Sequence, residues 1–111
     1  MMRIAITGAA GRMGKTLVAA IDETDGLELT VAIDHPDSSL IGSDAGEIAG
    51  VGRNGVALSP RLADVLDRFD VLIDFTFPEL TLENARLCSE AGKRMEIGTT
   101  GMTDADKAQL A

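Results

Sequence analysis

The 111-residue sequence predicts an α/β fold, a doubly wound parallel sheet covered by helices on both faces. Three observations predict it. Apolar runs with almost no alternation recur along the chain, which suits strands buried on both faces. Between them lie segments whose apolar residues fall three and four apart, the period of a helix. The first apolar run also leads straight into T-G-A-A-G-R-M-G at residues 7–14, where three glycines fall three apart.

Met2 to Thr7 reads as the first strand. Gly11 to Asp22 reads as a helix with Met13, Leu17, Ala20 and Ile21 on one face. Asp25-Gly26 is a turn, and Leu27 to Ile33 is a second strand ending at Asp34. His35-Pro36-Asp37 breaks it. Ser38 to Gly55, rich in Gly, Ser and Asp, reads as a long loop, and Val56 to Leu58 as a short strand. Ser59-Pro60 opens a predicted helix through Phe69, with proline in a tolerated first-turn position. Asp70 to Phe75 is another buried strand, and Pro78 starts a helix to Ala91 that Gly92 closes. Met95 to Ile97 is the last strand. Thr103-Asp104-Ala105-Asp106 looks like a capping box. The helix it opens stops at Ala111, about two turns in. The expectation is a truncated chain in which residues 1–111 form one domain.

Composition excludes more than it assigns. The net charge of −8 argues against a nucleic-acid backbone or an anionic membrane as the main partner. The single cysteine, Cys88, cannot form an internal disulfide, so a reducing cytoplasm is expected. Its helix suggests packing on the inner face near Leu82, Ala85 and Leu87. No stretch approaches the roughly 20 apolar residues of a membrane helix, and the first apolar run is too short for a signal peptide. Tyrosine and tryptophan are absent and His35 is the one histidine. Most side chains that move a proton near neutral pH are therefore missing.

The glycines suit a phosphate. A helix opening at Gly11 to Gly14 presents unpaired N–H groups and a partial positive charge. Gly8 takes backbone angles that a β-carbon forbids. Gly11 lets the backbone approach phosphate, and Gly14 lets helix and strand pack closely. Arg12 adds a charge. Asp34 lies 20 residues after Gly14, the spacing of a carboxylate that bonds ribose hydroxyls. A tight turn without a ligand is the alternative, and Asp34 could equally be a turn residue before Pro36. His35 is either solvated surface or a contact to the adenosine end of the cofactor. Gly98-Thr99-Thr100-Gly101 is either an ordinary loop or a holder of the nicotinamide half. The Rossmann-like pattern thus points to a nicotinamide dinucleotide, and no metal site is expected.

Four stretches together resemble the dihydrodipicolinate reductase family, also called 4-hydroxy-tetrahydrodipicolinate reductases: G-A-A-G-R-M-G-K, S-S-L-I-G-S-D-A-G-E-I-A-G, F-D-V-L-I-D-F-T-F-P-E and I-G-T-T-G. The likeness spans essentially the whole chain and corresponds to the family's N-terminal nucleotide-binding domain. It implies that Gly8, Ala9, Ala10, Gly11, Arg12 and Met13 bind pyrophosphate and that Asp34 takes the adenine ribose. It sets Gly98, Thr99 and Thr100 near the nicotinamide, with Phe75 and Thr76 lining the same groove. By resemblance alone, Thr100 reaches the substrate's carboxylate. The sequence departs from the family at two places. His35 stands where members that bind a 2′-phosphate well often carry arginine, and Phe77 stands where arginine is frequent. The resemblance also assigns paired histidines, a lysine, most substrate contacts and a tetramer interface to a C-terminal domain outside this sequence. It implies an enzyme of lysine synthesis that reduces a cyclic imine with NADH, NADPH or both. No catalytic residue is expected within residues 1–111, and the chain alone is expected to be inactive. A free-standing NAD(H)-binding sensor or scaffold is the alternative from another class, and an epimerase or short-chain reductase of similar glycine spacing is disfavoured by the missing tyrosine.

Overall fold

The computed structural model of the chain describes residues 2–74 and 78–97. Among them, β1 (Met2–Thr7), β2 (Leu27–Ile33), β3 (Leu58–Ser59), β4 (Val71–Asp74) and β5 (Arg94–Ile97) form one sheet in the order β3-β2-β1-β4-β5. Every pairing in it is parallel. Helix α1 (Arg12–Glu23) connects β1 to β2, the short α2 (Ala45–Ala49) lies between β2 and β3, and α3 (Pro78–Ala91) connects β4 to β5. The chain leaves β1 in one direction to build β2 and β3, then returns to set β4 on β1's other side. At such a reversal a crevice opens beyond the carboxyl ends of the strands.

Alternation along the strands supplies a core to each face. Ile4 and Ile6 of β1 point to the layer of α1, with Leu29, Ala32 and Val71. Ala5 points the other way, with Val31, Ile33, Leu72 and Cys88 of α3. A register shift between Ile4 and Ala5, whose partners are Leu29 and Val31, absorbs Thr30 as an extra residue. Without it the face of β2 beyond residue 30 would be inverted.

The buried residues of α1 are Gly14, Val18 and Ile21, which corrects the face read from periodicity. Leu17 is half-buried, Ala20 is exposed and Met13 is 51% exposed. Gly14 decides the rotation. A β-carbon there would lie 2.2 Å from the Gly8 carbonyl oxygen and 2.7 Å from Ala9 Cα. The helix turns its glycine toward the β1–α1 loop, and Met13, one residue earlier, faces water.

Two further expectations need correction. The predicted loop 38–55 contains α2. Asp44 caps it by accepting from Glu47 N at 3.0 Å, and the same carboxylate accepts from Asn54 N and Gly55 N at 3.0 and 2.8 Å. The predicted helix Ser59–Phe69 is instead two 3₁₀ turns, Leu62–Asp64 and Leu66–Arg68. Val65, between them, sits at φ −130°, ψ 19°, outside helical geometry. Leu62, Val65 and Phe69 still reach the core, because one buried residue every three or four satisfies either conformation. The first three strands, β4 and α3 lie close to where periodicity sets them. Gly92, at φ +71°, ends α3. Phe75 to Phe77, and the predicted capping box and last helix, lie outside the described residues. No helix among the described residues is long and apolar enough to cross a membrane.

Asp70 pins the start of β4 to β1. Its carboxylate accepts from Arg3 N at 2.9 Å and from Arg3 Nη2 at 3.1 Å, while Asp70 N donates to Arg3 O at 2.9 Å. The Arg3 N–H, then its guanidinium, hold this carboxyl below its ordinary value of 3.8. A group depressed on folding stabilises above its unfolded pKa, and the contribution disappears as pH falls through the folded value.

Two outcomes follow from these contacts. Gly14→Ala should lower the unfolding free energy by about 1–3 kcal/mol through overpacking, although alanine is the better helix former by about 1 kcal/mol. Urea denaturation measures this, and an unchanged midpoint would contradict the close approach. Asp70→Asn should flatten the acid limb of stability, so that its deficit against the parent at pH 6 shrinks as pH falls below about 4. Thermal unfolding as a function of pH reads it, and a constant deficit would show that the carboxylate is not what Arg3 holds.

Candidate nucleotide-binding site

The β1–α1 loop is built by glycine geometry and by bonds to β2. Gly8 sits at φ +71°, a conformation that favours glycine. Ala9 N donates to Ile33 O at 3.1 Å, and Gly11 N donates to Gly8 O at 3.0 Å. Ala10 N donates to Asp34 Oδ2 at 2.8 Å. Gly11, in extended geometry, precedes the helix and has no side chain to cap it. The N–H groups of Arg12, Met13 and Gly14 therefore begin α1 without an intrahelical or side-chain acceptor. The positive end of the helix lies there too, with no acidic residue in the first turn. This donor set suits an anion, and the absence of side chains at Gly8 and Gly11 leaves it approachable. The loop fits a pyrophosphate.

Asp34 stands at the end of β2, where the glycine spacing puts it, but its first partners are protein. Its Oδ1 accepts from His35 N at 2.7 Å while Oδ2 holds Ala10. A carboxylate offers about four acceptor positions, so room remains for hydroxyl donors. The sequence spacing did not reveal this latch between acid and glycine loop.

His35 is exposed. Its Nδ1 accepts from Asp37 N at 3.1 Å. The same nitrogen lies 3.7 Å from Asp37 Oδ2, an ion pair only if the ring carries a proton there. The two descriptions exclude each other at one nitrogen. The shorter contact, from a donor whose hydrogen is fixed by the backbone, is the one the geometry supports.

A groove of about 830 Å³ connects these groups. It is lined by Gly8 and Gly11 of the β1–α1 loop, by Asp34 and His35 after β2, and by Arg61 and Leu62 after β3. Leu80, Glu83 and Asn84 of α3 face it as well. Pro36 and Pro60 flank it and stiffen the two strand exits.

One cluster escaped sequence reasoning. Asp74, the last residue of β4, has 0% exposure. Thr7 and Thr81 donate their hydroxyls to its two oxygens, and Asn84 Nδ2 donates to Oδ1 at 3.3 Å. One carboxylate thereby joins the end of β1, the end of β4 and the first turns of α3, beside the reversal in strand order. An aspartate inside D-V-L-I-D-F breaks an otherwise apolar strand, and that was the available signal. Cys88, 1% exposed, packs with Ala5, Val31 and Leu72 rather than only with its helix neighbours. Burial, then the charge of Asp74, push its thiol up, with Lys93 opposing. It is a packing residue and not a nucleophile. Phe75, Thr76, Gly98, Thr99 and Thr100 lie outside the described residues, as does the side chain of Glu79.

Solved structures share this architecture. A dipicolinate-bound dihydrodipicolinate reductase from Paenisporosarcina sp. TG-14 is 30% identical with a TM-score of 0.76, covering 99% of this chain and 42% of its own. An amine dehydrogenase from Mycobacterium smegmatis is 25% identical, TM-score 0.72, covering 86% of this chain and 29% of its own. An aspartate semialdehyde dehydrogenase II from Vibrio cholerae, 17% identical with TM-score 0.68 over 90% of this chain and 31% of its own, shares the fold. This chain thus spans less than half the length of each. The family described as dihydrodipicolinate reductase, N-terminus, matches residues 2–111. With a parallel sheet, an uncapped glycine turn and an acid at the end of β2 already in place, the chain belongs to the dihydrodipicolinate reductase family, as its N-terminal, nucleotide-binding domain.

Proposed function

We propose that this chain holds the nicotinamide dinucleotide of a longer reductase that transfers hydride to a cyclic imine formed from 4-hydroxy-tetrahydrodipicolinate. The observation that carries the reading is the uncapped start of α1, set at the strand-order reversal next to Asp34. The N–H groups of Arg12, Met13 and Gly14 donate to pyrophosphate oxygens, and the Arg12 guanidinium adds charge. Gly8, Ala9, Ala10 and Gly11 shape the turn, with Ala9 and Ala10 spending their own N–H groups on β2 and Asp34. Asp34 accepts from the ribose hydroxyls, and His35 lies at the adenosine end. By resemblance to the family, Phe75 and Thr76, which follow β4 in sequence, and Gly98, Thr99 and Thr100, which follow β5, line the nicotinamide half, and Thr100 reaches a substrate carboxylate. The bound cofactor supplies the hydride.

What this chain contributes is orientation, which lowers a barrier by several kcal/mol when reacting atoms are held in line. It contributes no proton. His35 is at the adenosine end of the groove, and the Cys88 thiol is buried. The donor, most substrate contacts and the tetramer interface belong to a C-terminal domain beyond residue 111, in a cytoplasmic protein. Neither nucleic acid nor a membrane is a partner of this acidic chain. Membership of a reductase family disfavours the free-standing sensor.

Gly11→Val tests the phosphate assignment. A β-carbon at Gly11 already lies 3.3 Å from Gly8 O, and two further methyls would fill the approach to the helix start. NADH binding by isothermal titration should fall at least tenfold, the equivalent of about 1.4 kcal/mol, while circular dichroism stays unchanged. Unaltered affinity in a folded variant would remove the phosphate from this loop. A second expectation is that purified chain, NADH and enzymatically generated substrate give no oxidation of the cofactor by absorbance. Turnover comparable to a full-length reductase would return attention to Glu79, Thr99 and Thr100.

A further inference from the structure

We propose that Arg61 is the specificity-determining residue of the adenosine end: it supplies the cation for a 2′-phosphate and lets the groove accept NADPH as well as NADH. This rests on the reading of the groove as a dinucleotide site. Beyond Gly14 the position after the β2 acid holds His35, and Asp34 itself repels a phosphate. A dianion on the ribose therefore needs a positive charge from elsewhere, all the more in a chain of net charge −8.

His35 does not provide it in this arrangement. Its Nδ1 is taken up by the Asp37 N–H, and the Asp37 carboxylate sets a negative charge beside it. Arg61 is set to do so. Ser59 pairs with Ile33, and Asp34 N donates to Ser59 O at 3.1 Å. Arg61, two residues past Ser59, thus leaves the sheet at the same edge as His35, two past Ile33. Both residues line the same groove. Among the described residues Arg3, Arg53 and Arg86 are held in ion pairs, and Arg61 is in none. Its backbone is extended, at φ −138° and ψ 118°, immediately before the first 3₁₀ turn, so its place is set by both β3 and the turn. The guanidinium fork suits a phosphate and stays charged throughout the working pH range. Pro60 on one side and buried Leu62 on the other restrict the segment that carries it.

Dissociation constants of NADH and NADPH, measured by titration at pH 8 on this chain, on Arg61→Ala and on Arg61→Lys, test the assignment. NADH should bind the parent chain at least as tightly as NADPH, because of Asp34, with NADPH within about tenfold of it; Arg61→Ala should weaken NADPH a further tenfold or so, the worth of a charge-assisted hydrogen bond, and move NADH less than about threefold. Arg61→Lys should recover part of the NADPH loss, and added salt should erode NADPH binding more in the parent than in Arg61→Ala. If Arg61→Ala changes both cofactors alike or neither, the inference fails while the dinucleotide site stands. If the parent chain binds neither cofactor, the site assignment fails and takes this inference with it.

Discussion

The carboxyl edge of the sheet depends on one approach: the backbone of α1 at Gly14 against that of the β1–α1 loop at Gly8 and Ala9. A β-carbon at Gly14 would meet Gly8 O at 2.2 Å, so no other residue leaves the helix where it is. From that contact follow the rotation of α1, the burial of Val18 and Ile21, and the exposure of Met13. The helix start with its free N–H groups is brought over the end of β1. The site is thus a consequence of packing before it is a matter of chemistry.

Two carboxylates then secure the frame from either side. Asp34, at the end of β2, holds the loop through Ala10 N. Asp74, at the end of β4, gathers Thr7 and α3 through Thr81 and Asn84. Thr7 immediately precedes Gly8, so the loop is flanked by fixed residues on both strands that neighbour β1. Burying a carboxylate costs several kcal/mol unless hydrogen bonds replace its water. Asp74 meets that condition with donors from β1 and α3, which makes it a joint between elements and not a gap in the core. The loop can remain open to a ligand without being loose.

The groove divides its charges by element. Of its lining residues, Gly11 stands at the start of α1, Asp34 and His35 follow β2, Arg61 follows β3, and Glu83 belongs to α3. The Asp37 N–H occupies His35 Nδ1, and that is a matter of two residues in a turn.

Periodicity and punctuation determined much of this protein. The unalternated runs Met2 to Thr7 and Asp70 to Phe75 could only be strands covered on both faces, and glycines at 8, 11 and 14 after the first of them required a tight turn into a helix. The spacing to Asp34 marked the acid. What sequence pattern left open was whatever depends on a partner distant in the chain. On α1, Ile21 and Leu17 lie on the core side as periodicity sets them, but Met13 and Ala20 do not, because periodicity weighs Met13 as apolar and knows nothing of the Gly8 carbonyl. The five-residue α2 is too short for a period, and its signal was the Asp44-to-Glu47 cap. Residues 59–69 carry helical spacing, yet Val65 breaks the ladder and the same side chains enter the core from two 3₁₀ turns. Asp74 is a strand residue in sequence and fold alike, but its bonds to Thr7, 67 positions earlier, and to Thr81 exist only in the fold. Arg61 became part of the groove only when β3 paired with β2. Local propensity is written in neighbours along the chain, whereas hydrogen-bond satisfaction and steric exclusion are settled between elements, and only the tertiary structure brings those together.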